Sequence, residues 1–349
     1  MKVAIHQNKK IFNHSSLWTE IWIKYCQENY IDFKVLDCYK NGILDDLKTY
    51  DVLLWHISNY SLQDMLFARK ILYSAKKLGI AVFPDFNLSW HFDDKIAEEY
   101  LLSSINAPKP KSWFFYVKDD AIRFLKSECS YPVVAKLKSG SGSNNVHLLA
   151  NKTSALRYAK KMFTSGFRSS PKLYFKLKSN IKSSSSWNVF LKRLKRVPDF
   201  LHSMQKTKNF PREKGYLYLQ EFIPNEGYDL KVVVVNDKVS FVARLARKND
   251  FRASGGGLLS YDKELVTKEI RTIARETSKK CGFICMGYDF VVDKRNGKPL
   301  IIEISYGFSN LAQENLGGYW DENDVWVDKP LTAPYEIIKS LIKKQEITK

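Results

Sequence analysis

The chain has 349 residues, of which 44% are hydrophobic, with 16 glycines and 11 prolines. This composition excludes the collagen-like, low-complexity and disordered classes and predicts a globular protein of two or three domains. The five cysteines, at positions 26, 38, 129, 281 and 285, are an odd number and lack the spacing of a zinc site. We therefore expect a reduced, cytoplasmic compartment.

The amino terminus, MKVAIHQNKKIF, has the pattern of a short strand and lacks the long apolar segment of a signal peptide. Nowhere does an apolar run approach the ~20 residues that a helix needs to cross a bilayer. We expect a chain that does not span a membrane and that at most lies on its inner surface.

Charge is the first unusual property, because 56 basic and 37 acidic residues give a net charge of +19. Most of the excess lies between Asn151 and Gly215, where 17 lysines and arginines accompany only Asp199 and Glu213. A charge of this size predicts a polyanionic partner or surface.

The first 90 residues alternate strand-like and helix-like segments, which predicts a small parallel sheet. The predicted strands are Lys2–Ile5, Phe33–Leu36, Val52–Ile57 and Ile80–Phe83, and the predicted helices are Ser16–Asn29 and Ser61–Leu78. Ligands of such sheets bind at the carboxyl ends of the strands. This makes His6, Gln7 and His56 candidate substrate residues, with ordinary strand-end residues as the alternative.

A helix over 93–105 leads into the proline-containing connector NAPKPKSWF, where a second domain begins. The strands Tyr131–Leu137 and Val146–Leu149 then enclose a glycine- and serine-rich loop, and the basic segment follows. After Tyr216 the pattern becomes rich in strands, with a turn at Asn236-Asp237, a helix over Lys263–Lys280 and a final hairpin.

The final hairpin contains two carboxylates whose position depends on its turn. A two-residue turn would leave Asp289 and Glu303 on opposite faces, whereas a three-residue turn over 295–297 makes them face each other. The three-residue turn also places Val291 and Ser305 on the same face as the two carboxylates. The opposite face is then apolar and consists of Phe290, Val292, Ile302 and Ile304. Facing carboxylates are typical Mg²⁺ ligands, although solvated surface acids are an equal alternative for the pair taken alone.

The loop LKSGSGSNNV follows the strand that contains Lys136, and it matches neither the Walker sequence nor GxGxxG. Its small residues would let backbone amides close over phosphates, although such a loop is more often a plain hairpin tip. A third cluster, Arg244, Arg247 and Arg252, runs into a glycine-rich turn and could bind phosphate and carboxylate oxygens. The alternative is a basic loop on a basic protein, but the three features together favour a nucleotide site.

These elements, taken in order, resemble the ATP-grasp superfamily and within it the RimK-type carboxylate-amine ligases. The resemblance covers roughly residues 90–310 and rests on FDDK, YPVVAK with SGSGSNN, QEFIP, GYDLKVVVV, RKNDFRASGGG, GYDFVVD and IIEIS. It implies an α+β / α/β fold class, in which an ATP-grasp fold follows an amino-terminal Rossmann-like domain. The implied domains are an amino-terminal domain over 1–89, a small lobe over 90–215 with a basic insertion at about 165–215, and a large lobe over 216–349.

The resemblance also implies the roles of individual residues, with ATP and Mg²⁺ as cofactors. It implies Mg²⁺ binding by Asp289, Glu303 and Ser305, of which Ser305 stands where the family usually has Asn. Lys231, near the nucleotide, stands where the family commonly has Arg. The arginines 244, 247 and 252 would form the acyl-phosphate and substrate site, with Ser254 and Gly255 beside them. The remaining nucleotide-binding candidates are Lys95, Lys136, Ser139, Gly140, Ser141, Gly142, Ser143, Gln220, Glu221, Phe222, Ile223 and Asp229.

The implied activity is ATP-dependent formation of an amide bond between a carboxylate and an amine. The carboxyl-terminal sequences EISYGF and GYWDEND resemble ligases of bacterial surface polysaccharides, which implies an amino acid as the amine and a hexuronic acid or glycan as the carboxylate. A peptide or protein carboxylate is an alternative acceptor. A nucleic-acid-binding protein without ligase activity is an alternative of another class, but no nucleic-acid-binding motif supports it.

Residues 187–206 repeat apolar side chains at helical spacing, with lysines and arginines on other faces. Such a basic amphipathic helix could lie on an anionic membrane. The favoured alternative is a helix whose apolar face packs on its own domain.

Overall fold

The computed structural model describes residues 1–7, 17–140, 145–168, 211–246 and 258–348. They divide into two compact units: the first comprises residues 1–92, 97–109 and 224–349, and the second comprises 93–96 and 110–223. Within the described ranges, no helix has the length and apolar character needed to cross a membrane. All five cysteines are free thiols, and Cys26, Cys38 and Cys285 are buried.

The strands in chain order are β1 (Lys2–His6), β2 (Asp32–Leu36), β3 (Val52–Leu54), β4 (Ala81–Phe83), β5 (Ser112–Phe115), β6 (Val133–Lys136), β7 (Val146–Leu149), β8 (Phe167–Arg168), β9 (Arg212–Glu213), β10 (Leu217–Glu221), β11 (Tyr228–Val235), β12 (Lys238–Leu245), β13 (Leu259–Ser260), β14 (Cys285–Val292), β15 (Pro299–Ser305), β16 (Tyr319–Trp320) and β17 (Trp326–Val327). The helices are α1 (Leu17–Glu28), α2 (Ile43–Leu47), α3 (Arg69–Lys77), α4 (Phe86–Ser89), α5 (Lys95–Ser104), α6 (Lys118–Ser127), α7 (Lys152–Met162), α8 (Lys268–Cys281), α9 (Asn310–Leu316) and α10 (Ala333–Thr348). A π-helical turn, Asp64–Ala68, precedes α3, and a 3₁₀ turn, Lys263–Leu265, precedes α8.

The first unit contains two sheets. Its amino-terminal sheet has the order β2-β1-β3-β4, and all three strand pairings are parallel, as predicted. Its second sheet has the order β15-β14-β11-β12-β16-β17, with β13 paired to β12. One continuous hydrophobic cluster joins both sheets, and the Trp22 indole N–H donates to the carbonyl of Pro334 at 2.9 Å. Residues 1–92 therefore share a core with residues 224–349, whereas the three-domain division of the sequence separates them; that division stays a prediction.

The second unit is built on the antiparallel sheet β5-β10-β6-β7, with α6 and α7 contributing to its own hydrophobic cluster. Strand β10 pairs with β5 and β6. The sequence pattern predicts this strand in the last domain, because the strand-rich segment begins at Tyr216. Pairing between distant segments decides its place, and a change of local pattern does not report such pairing.

The hairpin of β14 and β15 confirms that Asp289 faces Glu303, but by a different route from the one predicted. The turn is one residue longer than expected, because the Asp293 N–H donates to the carbonyl of Lys298 at 2.9 Å. A register shift next to Asp289 compensates for the extra residue, so Phe290 pairs with Ile301. Ile301 is consequently buried, whereas Ile302, which we placed on the apolar face, is only half-buried.

Candidate active site

Two facing carboxylates and two cations converge on β11, β12, β14 and β15 in the first unit. Asp289 lies opposite Glu303 on β15 and also opposite Lys231 on β11. Arg244, near the end of β12, pairs with Asp229 on β11. The adjacent antiparallel strands therefore bring together residues that are 74 positions apart in the sequence.

Asp289 is a buried carboxylate held by two cations. Its Oδ1 forms an ion pair with Lys231 Nζ, and its Oδ2 lies 2.7 Å from Arg244 Nη2. Burial raises the pKa of Asp289, but Arg244 and Lys231 outweigh that effect and lower it to about 2. Asp289 is therefore ionised at neutral pH.

Asp229 shares Arg244 with Asp289. Its Oδ1 lies 2.5 Å from Arg244 Nε, so the guanidinium contacts two carboxylates. Burial raises the pKa of Asp229 to about 6, with the Asp289 charge adding to the effect and Arg244 opposing it. Burial lowers the pKa of Arg244, but Asp289 and Asp229 outweigh it, so the guanidinium pKa is raised overall.

The donor set at this site fits Mg²⁺. Asp289 and Glu303 offer hard carboxylate oxygens from facing positions, and the Ser305 hydroxyl lies two residues further along β15, where it accepts the Gly307 N–H at 3.2 Å. In the described part of the chain, no cluster of three or more His, Cys, Asp and Glu could hold a metal. One or two carboxylates completed by phosphate oxygens and water are the usual protein environment of Mg²⁺.

In the second unit, two predicted nucleotide-binding lysines flank the start of the glycine- and serine-rich loop. Lys95 is buried, its backbone N–H donates to Lys138 O at 2.9 Å, and its Nζ donates to Gly140 O at 2.5 Å. Lys136 is also buried, with Nζ 6.0 Å from the centre of the Tyr218 ring. A buried lysine charge needs partners, and the loop carbonyl supplies one of them for Lys95.

Acidic side chains anchor the described start of this loop. Glu213 accepts the N–H groups of Lys138 at 2.8 Å and Ser139 at 3.1 Å, and Asp93 accepts the Gly140 N–H at 3.1 Å. The amides of Ser139 and Gly140, predicted to bind phosphate, thus donate to protein carboxylates in this structure. Ser141, Gly142 and Ser143 lie outside the described residues.

Four of the predicted nucleotide-binding residues lie at the end of β10 and directly after it. Gln220 and Ile223 are buried, Glu221 and Phe222 are half-buried, and the Glu221 N–H donates to Lys111 O at 2.8 Å. These positions lie in the second unit, and their nucleotide role stays a prediction.

The amino-terminal candidates occupy strand ends, and two of them pack against tryptophan rings. The His6 ring stacks on Trp55 at 3.8 Å, and its Nδ1 accepts the Cys38 N–H at 3.2 Å. The His56 ring stacks on Trp18 at 4.5 Å, and burial lowers its pKa to about 4. Gln7 is exposed. The contacts of His6 and His56 suit a structural role, and their substrate role stays a prediction.

Of the three predicted arginines, Arg244 is described and joins the carboxylate cluster. Four other predicted residues lie outside the described ranges, as does the 187–206 segment: Arg247, Arg252, Ser254 and Gly255.

Two residues that shape these clusters, Gly287 and Glu213, are not among the residues predicted from the sequence. A Cβ at Gly287, two residues before Asp289, would lie 2.9 Å from Ser305 O and 3.8 Å from Lys231 Nζ. An isolated glycine within a strand pattern signals such close backbone approach, so GYDF contained the clue. For Glu213, which anchors the loop, the sequence signal was weaker: Glu213 is one of only two acids in the basic segment 151–215.

Comparison with known families supports the resemblance found in the sequence. Residues 177–314, which include Asp229, Arg244, Asp289 and Glu303, match the RimK-like ATP-grasp domain family. Residues 177–314 are therefore similar to this domain family. It is also 21% identical over 225 residues to an alpha-aminoadipate–LysW ligase, LysX, from Saccharolobus solfataricus. That match spans 64% of this chain and 64% of the length of the relative.

Solved structures confirm the ATP-grasp fold around this domain. A D-alanine–D-alanine ligase from Bacillus anthracis superposes with a TM-score of 0.57 at 11% identity, covering 100% of both chains. The ATP-grasp ligase PsnB, solved with a precursor variant, Mg and ADP, gives a TM-score of 0.55 at 11% identity and covers 98% of both chains. These likenesses show the fold, with its mixed helices and sheets as expected.

Proposed function

We propose that this chain is an ATP-dependent carboxylate-amine ligase that forms an amide bond through an acyl-phosphate intermediate. The observation that carries the proposal is the carboxylate pair Asp289 and Glu303, facing each other within the RimK-like match and joined to Arg244 through Asp289. ATP and Mg²⁺ are the cofactors of this class of enzyme, and the donor set described above fits the metal.

The chemistry follows from the poor reactivity of a carboxylate towards amines at neutral pH, where oxide is a poor leaving group. A carboxylate oxygen of the acceptor bonds to the γ-phosphorus of ATP, and the bond from that phosphorus to ADP breaks. The amine then bonds to the acyl carbon and loses a proton, and phosphate leaves. The products are the amide, ADP and inorganic phosphate.

The chain's own residues would supply binding and charge neutralisation. Asp289 and Glu303, with Ser305, would hold Mg²⁺, which neutralises phosphate charge when bound. Arg244 is a fixed, buried guanidinium, whose planar fork is suited to oxyanions of an acyl phosphate. The family resemblance implies contacts with the ATP phosphates for Lys95 and Lys136, both of which are buried.

For the two substrates, we propose an amino acid as the amine and a hexuronic acid of a surface polysaccharide, or its precursor, as the carboxylate. The carboxyl-terminal sequence resemblance supports this choice. A peptide or protein carboxylate is the second candidate acceptor, which the name of the relative that ligates alpha-aminoadipate and LysW keeps open.

The test is ADP release from Mg²⁺-ATP with pooled amino acids, with and without pooled uronic acids. We expect turnover that needs both pools, that is abolished in Glu303→Ala and that persists in the matched control Glu322→Ala, since Glu322 is exposed and outside the cluster. Turnover with peptide carboxylates only would select the second acceptor.

Two results would contradict the ligase. One is the absence of Mg²⁺-dependent ATP binding. The other is salt-dependent oligonucleotide binding without any ATP turnover, which would support the nucleic-acid-binding alternative.

A further inference from the structure

The second unit presents a concentrated positive surface that the ligase chemistry does not use. Helix α7 and the ribbon of β8 and β9, with the residue that follows it, contribute seven exposed cations, which we name the basic face: Lys152, Arg157, Lys160, Lys161, Arg168, Arg212 and Lys214. On α7 they lie opposite the side that is buried, which comprises Ala155, Tyr158, Ala159 and Met162.

Backbone contacts join the end of α7 to the ribbon. The Gly166 N–H donates to Lys161 O at 2.7 Å, and the Gly215 N–H donates to Met162 O at 2.9 Å. Gly166 has a φ of +63°, and a Cβ there would lie 2.3 Å from Glu213 O, so the tight approach requires glycine. The cations on α7 and on the ribbon therefore form one local surface.

Two arginines of the ribbon lie directly opposite each other. Arg168 on β8 pairs with Arg212 on β9, and like charges at such positions destabilise an antiparallel pair. Arg212 folds back onto the carbonyls of Ser165 at 2.7 Å and Gly166 at 2.9 Å, which leaves its positive charge uncompensated by an acid.

Acidic residues do not neutralise the basic face. Among the described residues, none of its seven cations forms an ion pair, and the nearby Glu213 is buried and bonded to the loop amides. An anionic partner can supply the missing negative charge.

The described basic face lacks the apolar features of two common anion-binding surfaces. The exposed large apolar side chains include none from 151–168 or 211–215. Membrane-surface helices insert such side chains into the bilayer, and single-stranded nucleic acids stack on exposed aromatic rings. A flexible polymer with regularly spaced charges needs neither.

We propose that the basic face docks a polyuronate, a polymer with a carboxylate on most of its sugar units, and holds it as the acceptor of the ligase. The role of the polymer as acceptor rests on the proposed function, whereas its docking on the basic face is independent of turnover. It narrows the acceptor from a free sugar acid to an anionic polymer.

The first experiment measures binding of a fluorescein-labelled oligogalacturonate by fluorescence anisotropy. The test variant combines Lys160→Glu, Lys161→Glu and Arg168→Glu. The matched control, Lys34→Glu with Lys298→Glu and Lys329→Glu, makes the same change in net charge at exposed positions of the first unit. We expect binding by the wild-type chain that weakens with salt, an affinity loss of at least about tenfold in the test variant, and a loss within about twofold in the control.

The second experiment compares ADP release with oligogalacturonate and with monomeric galacturonate. In the test variant, the KM for the oligomer should rise at an unchanged kcat, and the kinetics with the monomer should not change. Oligomer binding through the basic face without ADP release from any mixture would support the docking site while contradicting the ligase.

Three results would overturn the docking proposal. The wild-type chain could fail to bind oligogalacturonate, or both triple variants could lose affinity equally. The basic face could also bind single-stranded DNA or phosphatidylserine vesicles but no oligogalacturonate, which would assign it to another partner.

Discussion

Arg244 is the residue on which the electrostatics of the first unit depend. It is buried between Asp229 and Asp289, and its guanidinium contacts both carboxylates. Lys231 contributes a second cation to Asp289. Two carboxylates therefore share two cations, and removal of either cation leaves a buried negative charge without compensation.

We predict that Arg244→Met lowers the free energy of unfolding by about 3–5 kcal/mol at pH 7. The loss should shrink as the pH falls towards 4. Arg244 lowers the pKa of both Asp289 and Asp229, so its removal raises both folded-state pKa values. The folded variant therefore takes up protons at a higher pH than the wild-type protein does, which relieves the uncompensated charge as the pH falls.

Urea unfolding across this pH range checks the prediction about Arg244. The matched control is Arg157→Met, an exposed arginine whose replacement should change the free energy of unfolding by less than about 0.5 kcal/mol. A deficit in Arg244→Met that is the same at pH 4 and pH 7 would show that lost packing, and not lost charge, causes it.

At the scale of the element, the hairpin of β14 and β15 shows how a turn and a bulge act together. The turn is longer than predicted by one residue, and the register shift beside Asp289 restores the pairing with Glu303. Gly297 closes the turn with a φ of +74°, and its N–H donates to Asp293 O at 2.7 Å. The position of the carboxylate pair thus depends on a turn outside the cluster.

We predict that Gly297→Ala lowers the free energy of unfolding by about 1 kcal/mol, because an L residue is strained at this φ. A Cβ here would meet no atom within 4 Å, so the cost is conformational and not steric. Gly297→Asn should lose clearly less, since asparagine tolerates the left-handed region. Equal losses in the two variants, measured by urea unfolding, would contradict this explanation.

Other elements differ from their predictions at their ends, for local reasons. The helix predicted over Lys263–Lys280 is divided: a 3₁₀ turn ends at Leu265, and α8 begins at Lys268. Thr267 caps α8, and its side chain accepts the Ile270 N–H at 3.4 Å. Capping chemistry could have located this start, but apolar periodicity continues through the break and hides it.

At the scale of the whole molecule, the two compact units have separate hydrophobic clusters. Leu230 lies in the cluster of the first unit, and Leu219 lies in that of the second. Both side chains are fully buried on central strands. They provide a matched pair of reporters, one for each unit.

We predict two transitions in urea, because separate cores can unfold separately. Leu219→Ala should shift one transition and Leu230→Ala the other, each by about 2–5 kcal/mol. Circular dichroism and tryptophan fluorescence measure the transitions. One common transition, shifted by both variants, would contradict independent unfolding.

The sequence by itself determined the parallel amino-terminal sheet and the ATP-grasp resemblance. It also favoured the pairing of Asp289 with Glu303, but from a turn one residue shorter than the one in the structure. The sheet and the resemblance follow from local signals: strand alternation, and motifs such as GYDF and IIEIS in a fixed order. Such signals can be detected in the sequence because each involves residues that are close together along the chain.

Only the tertiary structure decided that residues 1–92 share a core with 224–349, that β10 joins the second unit, and that Arg244 contacts two carboxylates. It also placed Glu213 under the loop amides and Arg168 opposite Arg212. The physical reason is common to all five cases. Each depends on which distant segments pack together, and burial, register and ion pairing between distant segments arise only when the chain is folded.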